Sequence, residues 1–153
     1  MSREPPLVGR AGPGDAAALA AIAAAALPEP WSEAGFTEEL TLPEARVWVA
    51  RGAAGEAVGY LAAHRVLDEL QVLSLAVAAG QRRRGTGRAL LERALASEPG
   101  LRVVHLEVRS NDAAAQAFYG RVGFRPVGLR RGFYRGGVDA VLLARPAPVA
   151  ASP

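Results

Sequence analysis

Glu107 and Tyr119 are two residues whose types and spacing suit proton-transfer chemistry. Glu107 lies in an apolar segment, residues 103–108, that is typical of a strand, where a charge is costly unless it faces a cavity or a partner. Tyr119 follows twelve residues later, on a predicted helix. If that helix packs back on the sheet, the pair suits proton removal at one end of a cleft and proton donation at the other. From the residues alone, Glu107 equally suits a salt bridge with Arg109 or Arg102, and Tyr119 a core aromatic with a solvated hydroxyl.

The segment Gln81-Arg-Arg-Arg-Gly-Thr-Gly-Arg88 lies between a predicted buried strand and a predicted amphipathic helix. A helix that begins here presents unpaired amides and the positive end of its dipole, and the glycines permit close approach. With its four arginines, the segment predicts a diphosphate cradle. A nucleotide-hydrolase phosphate loop would need a lysine, and a dinucleotide fingerprint would need a glycine at Leu90. The alternative is a basic helix start that faces solvent.

The composition excludes several other chemistries. The 153 residues include no cysteine, and all 18 basic residues are arginine. Disulfides, thiolate metal sites, cysteine nucleophiles and Schiff bases are therefore excluded, and with two histidines we expect no metal. The longest apolar run, residues 16–27, is shorter than the ~20 residues that a membrane span needs. Because residues 1–6 show no hydrophobic signal core, we expect a soluble cytoplasmic protein without a membrane partner.

The charge is unevenly distributed along the chain. Residues 1–80 hold five arginines against ten acidic residues, a formal charge of −5, whereas residues 81–153 hold thirteen against five, a formal charge of +8. We therefore expect anions to bind in the second half.

The candidate residues must be positioned by strands and helices. The length and composition predict one α/β domain, residues 1–145, and a disordered tail, residues 146–153. Hydrophobic periodicity and turn residues predict the order β α α β β β α β α β β. The predicted strands are 7–10, 46–50, 57–66, 70–77, 101–108, 124–129 and 138–143, and the predicted longer helices are 16–27, 86–96 and 113–121. Asp15 and Ser32 are predicted to cap the first two helices, and strand 70–77, apolar on both faces, is expected at the sheet centre.

Four segments that occur in order resemble the GNAT acyltransferase superfamily, which transfers acetyl groups from acetyl-coenzyme A to amines. They are Leu75–Val77, Arg82–Leu91, Leu106–Arg109 and Ala114–Phe124. Three outer segments resemble the bacterial ribosomal-protein-alanine N-acetyltransferases, which acetylate the amino-terminal alanine of a small-subunit ribosomal protein; these are Pro30–Glu33, Val66–Glu69 and Arg130–Tyr134. The resemblance implies a single-domain GNAT-like fold, a mixed and mostly antiparallel sheet with a splayed central strand pair and about four helices.

The resemblance also implies roles for individual residues. Glu107 would accept a proton through a water molecule, and Tyr119 would donate one to the departing thiolate. The backbone of three residues would hold the thioester and pantetheine arm: Leu75, Ala76 and Val77. The backbone of the basic loop would hold the pyrophosphate, through Arg83, Arg84, Gly85, Thr86, Gly87 and Arg88.

Three further residues would shape the acceptor site: Glu69, Arg131 and Tyr134. Asp112 stands where the family usually has an asparagine that contacts coenzyme A, and it lacks the amide donor. The expected partners are acetyl-coenzyme A and a protein amino terminus, with a ribosomal protein as the candidate acceptor and no direct contact with nucleic acid. The expected reaction is direct attack in a ternary complex, because no cysteine is present to form an acyl-enzyme.

Two other kinds of function remain compatible with the residues. The same fold can acetylate a small amine or a protein lysine. A protein of another class, a non-catalytic acyl-coenzyme A sensor or a basic nucleic-acid-binding module, would leave Glu107 and Tyr119 without a task, and the loop lacks the interleaved aromatics of a base-stacking surface.

Overall fold

A computed structural model describes residues 6–82 and 85–148 of the chain. Within these residues the elements occur in the predicted order. The strands are β1 (Leu7–Arg10), β2 (Ala45–Arg51), β3 (Ala57–Val66), β4 (Glu69–Val77), β5 (Val103–Arg109), β6 (Arg125–Arg130) and β7 (Ala140–Pro146). The helices are α1 (Ala16–Ala26), α2 (Glu33–Glu39), α3 (Thr86–Ser97) and α4 (Ala113–Arg121). None of the helices described is long and apolar enough to cross a membrane.

The seven strands form one sheet in the order β1-β2-β3-β4-β5-β7-β6. Every neighbouring pair is antiparallel except β4 and β5, which α3 connects as a crossover. β4 is the central strand, as its apolar character predicted. The predicted α/β class, the mostly antiparallel sheet and the four helices are confirmed.

Each face of the sheet carries its own hydrophobic core, because successive strand residues point to opposite faces. On one face, Trp48 and Leu61 pack with the apolar residues of α3. On the other face, Val49 and Tyr60 pack with α1 and with Phe36 of α2. The two cores hold the central strands rigidly between helices, which gives the neighbouring site a fixed frame.

The two predicted helix caps have different outcomes. The Ser32 hydroxyl accepts a hydrogen bond from the Gly35 amide at 3.1 Å, as expected of a cap. Asp15 precedes α1, but its carboxylate does not cap the first turn: it accepts from the Gly12 amide at 2.7 Å and pairs with Arg51 at 2.7 Å. Burial opposes ionisation of Asp15, but these two partners outweigh it and lower the pKa of the carboxyl. The prediction was wrong because both carboxylate oxygens are already engaged, one by the preceding Gly12 amide and the other by Arg51 of β2.

The last two strands begin later than predicted, and both extend farther than predicted. Phe124 is buried in the core beside β6 instead of pairing with a strand. β7 lies between β5 and β6 and continues to Pro146, and the Ala147 amide then donates to the Arg102 carbonyl at 2.9 Å. Residues 146 and 147, predicted as part of a disordered tail, are therefore ordered by backbone pairing. Residues 149–153 of that tail lie outside the described part.

The contact between β3 and α3 leads to a stability prediction at Gly59. A Cβ atom there would lie 3.2 Å from the Ala76 carbonyl oxygen and 3.3 Å from side-chain atoms of Leu90 and Thr86. Because the backbone oxygen cannot move aside cheaply, we expect Gly59→Ala to lower the free energy of unfolding by about 1–3 kcal/mol, measured by urea denaturation. The control is Gly9→Ala, where a Cβ atom would meet no described atom within 4 Å. Equal losses in both variants would contradict close packing of α3 on β3.

Candidate active site

The sheet opens between β4 and β5. The two strands pair only where Glu69–Gln71 lies beside Val103–His105. Beyond Gln71, β4 stays paired with β3 on one side and has no strand partner on the other among the residues described, while β5 stays paired with β7. A bulge in β4, where Ser74 and Val72 face consecutive residues of β3, accompanies this opening. The predicted splayed strand pair is confirmed, and the free edge of β4 includes residues 75–77.

A cleft of about 190 Å³ lies in this opening. Its walls come from β4, β5, α4, the connection between α1 and α2, and the connection between β6 and β7. Five of the predicted site residues line it together: Leu75, Glu107, Asp112, Tyr119 and Tyr134. The fold therefore places the candidate base and the candidate acid in one cavity.

Glu107 faces this cleft because β5 alternates. Val104, Leu106 and Val108 are buried in the core, and Glu107 points to the opposite face with 17% of its side chain exposed. Its carboxylate lies 3.5 Å from a guanidinium nitrogen of Arg130 on the edge strand β6. The two salt bridges considered from sequence were wrong, because Arg109 pairs with Glu29 and Arg102 with Asp68 and Glu69.

Tyr119 is both a core aromatic and a cleft residue. Its ring packs edge-to-face between Phe118 and Phe124, with centroids 5.1 and 5.3 Å away. Among the described residues its hydroxyl makes no hydrogen bond, and the side chain lines the cleft. Burial, with smaller contributions from Asp112 and Tyr60, raises the pKa of Tyr119 above its ordinary value. The phenol therefore stays neutral and keeps its proton over the working pH range.

Arg109 connects the two loops that form the outer walls of the cleft. One guanidinium nitrogen lies 3.1 Å from the Glu29 carboxylate, between α1 and α2, and the guanidinium carbon lies 4.5 Å from the ring centre of Tyr134, between β6 and β7. Arg109 was not among the predicted site residues. The sequence did contain a signal for this: Arg109 follows Glu107 by two residues, and strand residues two apart lie on the same face of the sheet.

The start of α3 shows why its glycines are needed. Gly85 has φ of +77°, a left-handed conformation that favours glycine. A Cβ atom at Gly87 would lie 3.2 Å from the ring of Phe118, so this glycine allows α4 to pack against α3. The amides of the first turn, at residues 86–88, have no intrahelical acceptors. The Arg88 side chain is mostly exposed and pairs with Glu92 at 3.0 Å, while Arg83 and Arg84 lie outside the described residues.

Comparison with known proteins decides the family. A family model described as the acetyltransferase (GNAT) family matches residues 16–124. The chain is 39% identical over 122 residues to the N-alpha-acetyltransferase RimI of Mycobacterium tuberculosis, with 76% of each chain covered. The chain belongs to the GNAT acetyltransferase family.

Two further relatives agree with this assignment to the GNAT acetyltransferases. The ribosomal protein bS18-alanine N-acetyltransferase of Escherichia coli K12 is 33% identical over 122 residues, which cover 76% of this chain and 81% of that protein. The crystal structure of the ribosomal-protein-S18-alanine N-acetyltransferase from Escherichia coli superposes with a TM-score of 0.85 at 30% identity, covering 95% of this chain and 96% of the other. The protein is an acetyl-coenzyme A-dependent N-acetyltransferase.

Three predicted site residues of this acetyltransferase have positions that the sequence did not indicate. Asp112 lines the cleft, but its carboxylate also caps α4 by accepting from the Ala115 amide at 2.9 Å. Glu69 does not line the cleft with Tyr119; it lies in a neighbouring groove beyond Glu107. Arg131 is exposed in the turn after β6 and does not line the cleft.

The Tyr119 hydroxyl can be tested without disturbing the ring that packs in the core. We expect Tyr119→Phe to lower kcat by about 100-fold, because the hydrogen donor in the cleft is lost, with a much smaller change in the KM for acetyl-coenzyme A. Steady-state thiol release measures both constants. Tyr60→Phe is the control, since it also removes a buried hydroxyl, one that bonds to Ser74 at 2.7 Å and does not line the cleft. Equal effects on kcat and KM at Tyr119 would instead indicate a packing role.

Proposed function

We propose that this enzyme acetylates the α-amino group at the amino terminus of a cytoplasmic protein, with the alanine of a ribosomal protein as its acceptor. The observation that carries the proposal is the meeting of Glu107 with Tyr119 in one cleft at the strand opening. The relatives at 39% and 33% identity support the choice of acceptor, because one is named an N-alpha-acetyltransferase and the other a ribosomal protein bS18-alanine N-acetyltransferase.

An α-amine suits a site with a single carboxylate. Its pKa of about 8 leaves roughly a tenth of it unprotonated at neutral pH, against less than a thousandth of a lysine side chain with a pKa of about 10.4. Glu107, through a water molecule, would remove the remaining proton. The 3.5 Å contact with Arg130 orients the carboxylate.

The free amine then attacks the thioester carbonyl, and the carbon–sulfur bond breaks. The proton lost from the amine passes to Glu107, and the departing thiolate receives a proton from the Tyr119 hydroxyl. Solvent then returns a proton to Tyr119 and takes one from Glu107. The raised pKa of Tyr119 ensures that its proton is present when the bond breaks. We propose direct transfer, since the chain contains no cysteine to carry the acetyl group.

Acetyl-coenzyme A fits two features of the fold. The free edge of β4 at Leu75, Ala76 and Val77 leaves backbone amides and carbonyls for the amide groups of the pantetheine arm. The first turn of α3, at residues 85–88, offers amides to the diphosphate, and we expect Arg83 and Arg84 to complete that cradle.

The role of Glu107 predicts a characteristic pH dependence. We expect Glu107→Gln to lower kcat/KM for a peptide beginning with alanine by about 100-fold at pH 7. Because an amine of pKa about 8 is about nine-tenths unprotonated at pH 9, the difference from the wild type should narrow there. Glu56→Gln, at an exposed position in the turn after β2, is the control. A difference that stays constant from pH 7 to pH 9 would contradict the role as a base.

Intact-mass measurement tests the acceptor directly. The enzyme is incubated with acetyl-coenzyme A and one acceptor at a time: peptides that begin with alanine, amino-terminally blocked peptides with an internal lysine, and small amines. We expect a gain of one acetyl group on the alanine peptides alone. Preferred acetylation of lysine or of small amines would overturn the proposed acceptor, and an acetylated form of the enzyme itself would overturn direct attack.

A further inference from the structure

A second groove, of about 440 Å³, lies beside the cleft on the sheet face that carries Glu107. We call it the β5 groove, because it follows alternate residues of β5 from Glu107 past His105 to Val103. Glu69 and Arg102 line the end of the groove beside Val103, and Arg130 lines the end beside Glu107. Nothing in the proposed reaction at the α-amine uses this space.

The β5 groove adjoins the cleft. Leu106 and Glu107 line both cavities, so the Glu107 side chain stands where they meet. A polypeptide whose amino group reaches Glu107 therefore has an open path along β5. This adjacency favours the acceptor chain beyond its first residue as the occupant of the groove.

The two ends of the β5 groove differ in charge. At the Glu107 end, the carboxylate is matched by Arg130 at 3.5 Å. At the far end, Arg102 is shared between two carboxylates, Asp68 at 3.0 Å and Glu69 at 3.5 Å, so two acidic side chains face one guanidinium. A ring nitrogen of His105 also lies 3.5 Å from the Glu69 carboxylate. Glu69 has 45% of its side chain exposed, so a ligand can reach it. The far end is thus suited to a cation.

The distance between the ends sets which acceptor residue reaches Glu69. Glu69 lies beside Val103 in the sheet, and Val103 is four residues from Glu107. At about 3.3 Å per strand residue, the separation is about 13 Å, which an extended peptide covers in about four residues. With residue 1 at Glu107, residue 5 lies near Glu69, and a long side chain at residue 4 or 6 can also reach it.

We propose that the β5 groove binds the acceptor polypeptide beyond its first residue and selects a basic side chain at about its fifth position. This inference rests on the proposed acetylation of an amino terminus. It adds a specificity determinant outside the cleft where the acetyl group is transferred.

The test uses eight-residue peptides that begin with alanine, are otherwise glycine and serine, and carry one arginine at each position from 2 to 8 in turn. At saturating acetyl-coenzyme A, we expect KM to be lowest, by about threefold, with arginine at positions 4 to 6, and kcat to be unchanged. The preference should weaken at 0.5 M salt, since the interacting charges are partly exposed.

Two variants at one position make the test specific. Glu69→Gln removes one of the two carboxylates and should remove the preference, and Glu69→Arg should reverse it in favour of glutamate near position 5. Glu56→Arg makes the same charge change at an exposed site outside the groove and should keep the wild-type profile. Thermal unfolding of each variant confirms that the fold is retained.

The outcomes separate this inference from the function on which it rests. Acetylation of the peptides with a KM that does not depend on the arginine position, or a profile that Glu69→Arg leaves unchanged, would overturn the β5 groove as a specificity site alone. A wild-type enzyme that acetylates none of these peptides would overturn the proposed acceptor, and this inference with it.

Discussion

The divergence of β4 from β5 is the constraint on which the site depends. A parallel pair normally continues its hydrogen bonds along both strands, but here three residues pair on each strand and the strands then separate. Each strand remains anchored on its outer side, β4 to β3 and β5 to β7, so the opening does not unravel the sheet. The unpaired backbone amides and carbonyls of β4 face the gap, where the proposed substrate can form hydrogen bonds with them. A gap in the sheet becomes the place where a thioester and an amine can meet.

The helices keep this gap open in a defined shape. α3 packs against β3 at Gly59, and α4 packs against α3 at Gly87, and at both positions a Cβ atom would lie 3.2 Å from its nearest neighbour. These contacts hold the first turn of α3 at one end of the gap and Tyr119 of α4 inside it. Arg109 closes the other side by linking the loops that carry Glu29 and Tyr134. The cleft is thus assembled from elements that are distant in sequence.

Glu107 and Tyr119 lie in different electrostatic surroundings, which suit different roles. Glu107 contacts the Arg130 guanidinium and is partly open to solvent, so a water molecule can reach the proposed proton acceptor. Tyr119 lies against aromatic rings, and burial keeps its phenol neutral, which suits a group that must still hold its hydrogen when the thiolate leaves. The fold therefore places the proposed proton acceptor and the proposed proton donor within one cavity.

The sequence by itself determined the order of the elements, the central strand and the candidate base and acid. These depend on local periodicity, on glycine and proline, and on a charge inside an apolar strand. Only the tertiary structure decided which charges meet. Asp15 pairs with Arg51 instead of capping its helix, and Glu107 pairs with Arg130 on an edge strand. Glu69 lines the β5 groove and not the cleft. The reason is physical: the reach and direction of a long charged side chain depend on strand register and loop packing, which local sequence does not encode.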